Sequence, residues 1–272
     1  MKNTMIRKSL TGLLASLWAT AAFADWELNM PKGVTELSLE TYNLHMTIFW
    51  VCVAIGVVVF GAMFWSLYFH RQSRGVKAEQ FSHSTKAEVI WTAIPCFILL
   101  AMAIPAAETM IKLEDSRDPD LSIVITGYQW KWHYRYQDEE VGFYSNLAEE
   151  SVKARVLDSG ISPEDVDNYL LDVDNPMVVP VGAKVRLLIT ANDVIHSWWV
   201  PDFAIKKDAI PGIINETWFR AEQVGTYRGK CTELCGKDHG YMPVVVEVVE
   251  PEQYQAWLDT QMNADQRFAS TN

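Results

Sequence analysis

Basic charge is scarce in this chain. Over 272 residues, 23 Lys and Arg stand against 34 Asp and Glu, a net of −11. So little positive charge excludes a main role in binding nucleic acid, whose phosphates need a basic surface. Cysteine is scarcer still: four are too few for a disulfide framework in a chain this long. No internal repeat is visible, which excludes a solenoid or propeller. Charged residues make up 21% against 49% hydrophobic, so the chain is not intrinsically disordered.

Two long stretches lack charge altogether. Thr47 to Phe69 is an uncharged run of 23 residues, and Val89 to Ala107 one of 19, bounded by Glu88 and Glu108. At ~1.5 Å per helical residue, both approach or exceed the roughly 30 Å of a bilayer core. The spans are placed at about 47–69 and 89–109. A buried helix of a soluble core is the alternative for each. The connection carries Arg71, Arg74, Lys77 and Lys86 against Glu79 alone, so the positive-inside rule makes it cytoplasmic. A hairpin then returns both flanks to the outside.

The N-terminus agrees with export. Lys2, Arg7 and Lys8 precede the apolar stretch Leu10 to Phe23, and Ala22-Phe23-Ala24 offers small residues for cleavage before Asp25. A signal peptide is expected at 1–24, a transmembrane hairpin at 25–111 and an extracytoplasmic domain at 112–272. A retained amphipathic anchor is the alternative for 1–24. No Cys follows the apolar run, which argues against a lipoprotein signal.

The exterior segment reads as β-structure. Leu121–Thr126, Val178–Thr190, Trp218–Arg228 and Pro243–Val249 are rich in β-branched and aromatic residues between Gly, Pro, Asn and Asp. Residues 138–176 are acidic and punctuated by Ser, Gly and Pro, as an inserted excursion would be. Glu252 to Met262 suits a short helix. Several short strands in this length predict a Greek-key sandwich or barrel. Tyr128, Trp130, Trp132, Tyr134 and Tyr136 alternate with polar residues, and on one strand they would share one face. Most of that stripe is expected to be core, with part continuing to a functional surface, a role suited to Trp.

A dense run of soft donors follows: Cys231-Thr-Glu233-Leu-Cys235-Gly-Lys-Asp-His239-Gly-Tyr-Met242. Thiols, an imidazole and a thioether suit copper, and Met argues against a hard cation. Two cysteines separated by three residues do not match the Cys-x-x-Cys of thioredoxins or zinc ribbons. Upstream, Asp193-Val-Ile-His196-Ser-Trp-Trp supplies a further imidazole. Two bridging thiolates can hold two coppers, with His and Met at the ends. A small-loop disulfide is the alternative for the cysteines.

These residues bring a family into view. From about Leu44 to Trp257 the chain resembles subunit II of haem-copper cytochrome c oxidase. The resemblance is carried by the two-helix hairpin, Ile90-Trp91-Thr92-Ala93-Ile94-Pro95, Gly127-Tyr128-Gln129-Trp130, His196-Ser197-Trp198, Asp208-Ala209-Ile210-Pro211-Gly212 and the donor loop. It implies a mainly β chain with a transmembrane helical hairpin, ending in a cupredoxin-like Greek-key β-sandwich that carries the dinuclear copper centre CuA. Cys231 and Cys235 would be bridging thiolates, His196 and His239 terminal imidazoles, Met242 the thioether, and Glu233 a ligand through its backbone carbonyl. The Glu233 carboxylate matches the position that reaches a magnesium ion at the subunit I interface. Trp130 matches the residue at which electrons arrive from cytochrome c, and Glu88 a carboxylate near the mouth of a proton pathway. A helix-start carboxylate is the plainer account of Glu88.

The resemblance further implies an electron-uptake subunit of a proton-pumping oxidase, with oxygen chemistry in subunit I, a cell inner membrane location and a periplasmic C-terminal domain. Arg135 departs from a position often acidic in the family, and Ile213 from one often arginine. No Cys-x-x-Cys-His occurs, so no fused c-type haem is expected. Two competitors are a thioredoxin-like copper-delivery factor and a subunit that has lost its metal, as in quinol oxidases. Two spans, strand-rich patterning and Met242 beside His239 argue against the first; the complete donor set argues against the second. Residues 112–272 carry 15 basic and 27 acidic groups, a net of −12, which suits a basic cytochrome c.

Overall fold

The computed structural model describes residues 29–77, 80, 82–139 and 141–270, with only the backbone of 264–270. The signal peptide expected at 1–24 lies outside the described residues. Among the described residues two long helices come first: α1 (Glu36–Phe69) and α2 (Thr85–Leu113). Both are apolar and long enough to cross a membrane. Each extends beyond the uncharged run that revealed it, because charged residues at the ends continue the helix into the interfacial zone. Glu40 of α1 pairs with Lys112 of α2, joining the start of one helix to the end of the other, so the two run antiparallel.

The start of α1 is fixed to the β-domain by hydrogen bonds. The Thr35 hydroxyl accepts from Ser38 N, and Thr35 N donates to Ser38 Oγ, both at 2.9 Å, a reciprocal cap for the helix. Val34 N donates to Asp202 O, and Glu222 N donates to Val34 O, both at 2.9 Å. Leu37, in the first turn, is buried.

Among the described residues ten strands follow in two sheets of five, ordered β3-β2-β1-β5-β8 and β4-β10-β9-β6-β7. They are β1 (Leu121–Tyr128), β2 (Lys131–Tyr136), β3 (Val141–Ser145), β4 (Met177–Pro180), β5 (Lys184–Ala191), β6 (His196–Val200), β7 (Ile205–Ala209), β8 (Asn215–Arg220), β9 (Gly225–Cys231) and β10 (Pro243–Val249). Strict alternation on β5 turns Val185, Leu187, Ile189 and Ala191 inward. They meet Val244, Val246 and Val248 of β10 in one shared core. β1 and β5 run parallel, as do β4 and β10. A parallel pair cannot be closed by a tight turn, so long crossovers are required. The resulting two-sheet domain is a cupredoxin-like sandwich.

One crossover contains the expected excursion at 138–176. It is more ordered than its composition suggested, holding β3 and the short helix α3 (Glu149–Ala154). The C-terminal helix α4 (Pro251–Ser270) is longer than the expected Glu252–Met262. Its Trp257 packs on Tyr136 and Phe143, and the helix lies against β3 and β4, an edge strand of each sheet.

The aromatic stripe is not one strand. The chain reverses at Gln129–Trp130, and Tyr128 pairs with Lys131 across a two-residue turn. That reversal puts Tyr128 on the opposite face from Trp132, Tyr134 and Tyr136. The latter three are fully buried, whereas Tyr128 stacks edge-on against Tyr144 outside the core. Trp130 sits in the turn itself.

Candidate metal centre

The end of the sandwich that holds the β1–β2 turn also holds the donor loop. Cys231 is the last residue of β9 and pairs with Trp198 of β6. His196 is the first residue of β6. Cross-strand pairing thus brings two residues 35 positions apart into contact. The loop then returns to β10, with Thr232 N donating to Ser197 O at 3.1 Å and Cys231 N to Met242 O at 3.2 Å.

Six donor groups converge. The Cys231 and Cys235 sulfurs lie 3.8 Å apart, and both are free thiols. His196 Nδ1 is 4.0 Å from the Cys231 sulfur, and His239 Nδ1 is 3.5 Å from that of Cys235. Met242 Sδ lies 3.5 Å from the Cys235 sulfur. The Glu233 carbonyl oxygen is 3.4 Å from the Cys231 sulfur. The sulfurs are too distant for the bond of about 2.05 Å that a disulfide requires. They are placed as two thiolates sharing metal between them would be. His196, both cysteines and Met242 are buried, so a dry, soft donor set faces inward. Its chemistry fits copper.

The surroundings orient these donors. Asp193 accepts from His196 Nε2 at 2.9 Å, which leaves Nδ1 to face the sulfurs. The same carboxylate accepts from Gln129 N and Val194 N, both at 2.7 Å. Burial works against charge on Asp193, but the His196, Gln129 and Val194 hydrogen bonds outweigh it and hold the carboxyl below its usual range. Burial likewise opposes protonation of His196, yet its bonds to Cys231 and Asp193 raise its pKa. Burial would raise the Cys231 thiol, but the His196 imidazole and nearby backbone groups bring it down. Burial pushes the Cys235 thiol up to about 12, assisted by the Cys231 sulfur.

Trp130 touches the donor loop directly. Its Nε1 donates to Cys235 O at 3.1 Å, beside Gln129 Nε2 at 2.8 Å. Gly236 lies against that indole at φ +120°, and an added Cβ would come within 3.0 Å of Trp130 Cζ2. Glycine is what lets the loop lie so close. Of the remaining expected residues, Glu233 is exposed at the loop surface. Glu88 is in the first turn of α2, whose far end leads into the β-domain. It is not brought to the metal centre. Asp193 and Gln129 stood inside recognised motifs, but their support of His196 and Cys235 had no separate signal.

A cluster of soft donors that fits copper, set in a cupredoxin-like sandwich that follows a two-helix hairpin, defines the class. Family models agree: "Cytochrome C oxidase subunit II, periplasmic domain" matches residues 121–249, and the corresponding transmembrane domain matches residues 24–108. A "Probable cytochrome c oxidase subunit 2" of Rickettsia bellii is 38% identical over 263 residues, covering 95% of this chain and 92% of that protein. The cytochrome c oxidase subunit 2 of Cereibacter sphaeroides is 34% identical, covering 94% of this chain and 91% of that one. The solved periplasmic domain of subunit II from Bradyrhizobium japonicum is 41% identical, with a TM-score of 0.48, covering 55% of this chain and 98% of that domain. The chain therefore belongs to the cytochrome c oxidase subunit II family and is a two-span membrane component of an oxidoreductase complex.

Proposed function

We propose that this subunit is the port through which electrons from cytochrome c enter a proton-pumping oxidase. The convergence of six soft and carbonyl donors carries the reading. His196, Cys231, Glu233 through its carbonyl, Cys235, His239 and Met242 would hold two coppers as a CuA centre. Bound there, the coppers would supply one-electron redox chemistry between cytochrome c and haem in subunit I, where oxygen would be reduced to water.

The chain's own residues supply the conditions. Buried Trp132 packs edge-on against His196 and excludes water there, and fixed ligands keep the geometry steady as charge changes. Trp130, half-buried and bonded to the Cys235 carbonyl, offers the path inward from the surface. The Glu233 carboxylate would reach magnesium at the subunit I interface, and Glu88 would stand near a proton pathway. The division into a cleaved signal at 1–24, a hairpin at 25–111 in the inner membrane and a periplasmic domain at 112–272 belongs to the same reading.

The test mixes the copper-loaded full-length protein with a reduced, basic cytochrome c in a stopped-flow instrument. Oxidation of the cytochrome should be fast at low salt and slow steeply as ionic strength rises, because the exterior segment carries a net of −12. No electron transfer, or a rate indifferent to salt, would contradict the proposal.

A further inference from the structure

The excursion between β3 and β4 meets the donor loop at Arg155. Its neck is tied shut: Asn146 N donates to Asp174 Oδ1 at 2.7 Å and Asn146 Nδ2 to Asp174 Oδ2 at 2.8 Å. Ala148 N donates to Asp172 O at 3.0 Å, and Leu170 N to Ser151 Oγ at 3.1 Å within the loop. A loop so closed is a compact body rather than a loose strap. Asp172 also lies 3.7 Å from Arg228 of β9, the strand that ends in Cys231.

Arg155 follows α3 and leaves this body for the metal loop. Its guanidinium donates to Asp238 Oδ1 at 3.0 Å, across 83 positions of sequence. Its Cζ stands 4.0 Å from the centre of the Tyr241 ring. Both partners in the ion pair are largely covered, at 32% and 21% exposure. Asp238 precedes His239 and begins the short turn His239–Tyr241, yet its carboxylate does not cap that turn. Tyr241 precedes Met242. One arginine therefore grips the residues next to two of the proposed ligands, and it does so from outside the loop.

We propose that Arg155 is a positioning residue that clamps Asp238 and Tyr241, holding His239 and Met242 in ligating position and slowing metal loss. This rests on the copper reading above. Arg suits the task because its flat guanidinium can bond a carboxylate edge-on while stacking on a ring, which Lys cannot do. An exposed ion pair alone would contribute little. The partly covered pair and the cation–π contact together should slow loop opening about tenfold.

The test uses the full-length protein in detergent, loaded with copper, with bathocuproine disulfonate and ascorbate capturing released metal. Arg155→Ala should release copper about tenfold faster than the parent, and Arg155→Lys at an intermediate rate, with the melting temperature of the metal-free protein unchanged. Equal release rates in parent and variants overturn the clamp alone. A parent that holds no copper overturns the underlying reading as well. Faster release that only follows a lowered metal-free melting temperature overturns it too, since the role would be general stability. Should Arg155→Ala fail to fold, Asp238→Asn decides: it keeps the shape and loses the charge, so faster release supports the clamp and an unchanged rate overturns it.

Discussion

Replacing Asp193 with Asn tests whether the protein, and not the ligands alone, sets the metal centre. The carboxylate accepts three hydrogen bonds: Oδ1 from His196 Nε2 at 2.9 Å and Val194 N at 2.7 Å, Oδ2 from Gln129 N at 2.7 Å. Asn has one acceptor oxygen. In one orientation its amide group faces Gln129 N–H, donor against donor. In the other it faces both Val194 N–H and His196. At least one bond to a charged acceptor is lost, a cost of about 1.5–3 kcal/mol. His196 also becomes a weaker base once its Nε2 proton faces a neutral group. Loss of such outer support lowers metal affinity by about 10–100-fold. The assay is competition for copper between the full-length protein and a chelator of known affinity, with circular dichroism as a check on folding. Affinity within twofold of the parent, in a folded protein, would refute the reasoning that His196 is held for ligation by Asp193.

Other outcomes follow from the same geometry. Trp130→Phe should slow oxidation of cytochrome c in stopped flow while leaving the copper spectrum nearly unchanged, because Gln129 still donates to the Cys235 carbonyl at 2.8 Å; a collapsed spectrum would make Trp130 a packing residue instead. Gly127→Ala should push His196 aside, since the new Cβ would lie 2.8 Å from its Cδ2. Overpacking of this kind costs about 1–3 kcal/mol, and thermal melting together with copper titration would show it; unaltered melting and affinity would contradict the close fit. Copper loading of the metal-free protein at pH 7 should release a proton from Cys235, whose thiol is pushed up to about 12 by burial and the Cys231 sulfur. Its pKa lies above the working pH, so the thiol starts protonated and must lose that proton to ligate. A pH-indicator dye that records no release would contradict this.

Much of the site was legible because its chemistry is concentrated in the chain. Five of the six donors lie within residues 231–242, and their softness names the metal class without reference to the fold. His196 was legible only through that run: nothing in its own neighbourhood marks a lone imidazole as a ligand, but two cysteines, a histidine and a methionine downstream leave a place for a second histidine. The two spans were legible from the absence of charge. What the sequence hid were reversals and long-range contacts. Alternation from Tyr128 to Tyr136 runs unbroken through the turn at Gln129–Trp130, because a two-residue reversal preserves the visible pattern while inverting which face is core. β3 was hidden by an acidic, polar setting: only Val141 and Ser145 of its five residues are buried. Arg155 and Asp238 are ordinary surface charges by sequence, and only the folded excursion brings them together.

The central claim is that the donor loop and His196 hold two coppers as one unit. The most direct measurement is metal content together with the EPR spectrum of the oxidised, copper-loaded full-length protein. Two coppers per chain, with one unpaired electron shared between both nuclei in the hyperfine pattern, is the expected result. One copper with a mononuclear pattern, or a Cys231–Cys235 disulfide with no copper, would contradict it.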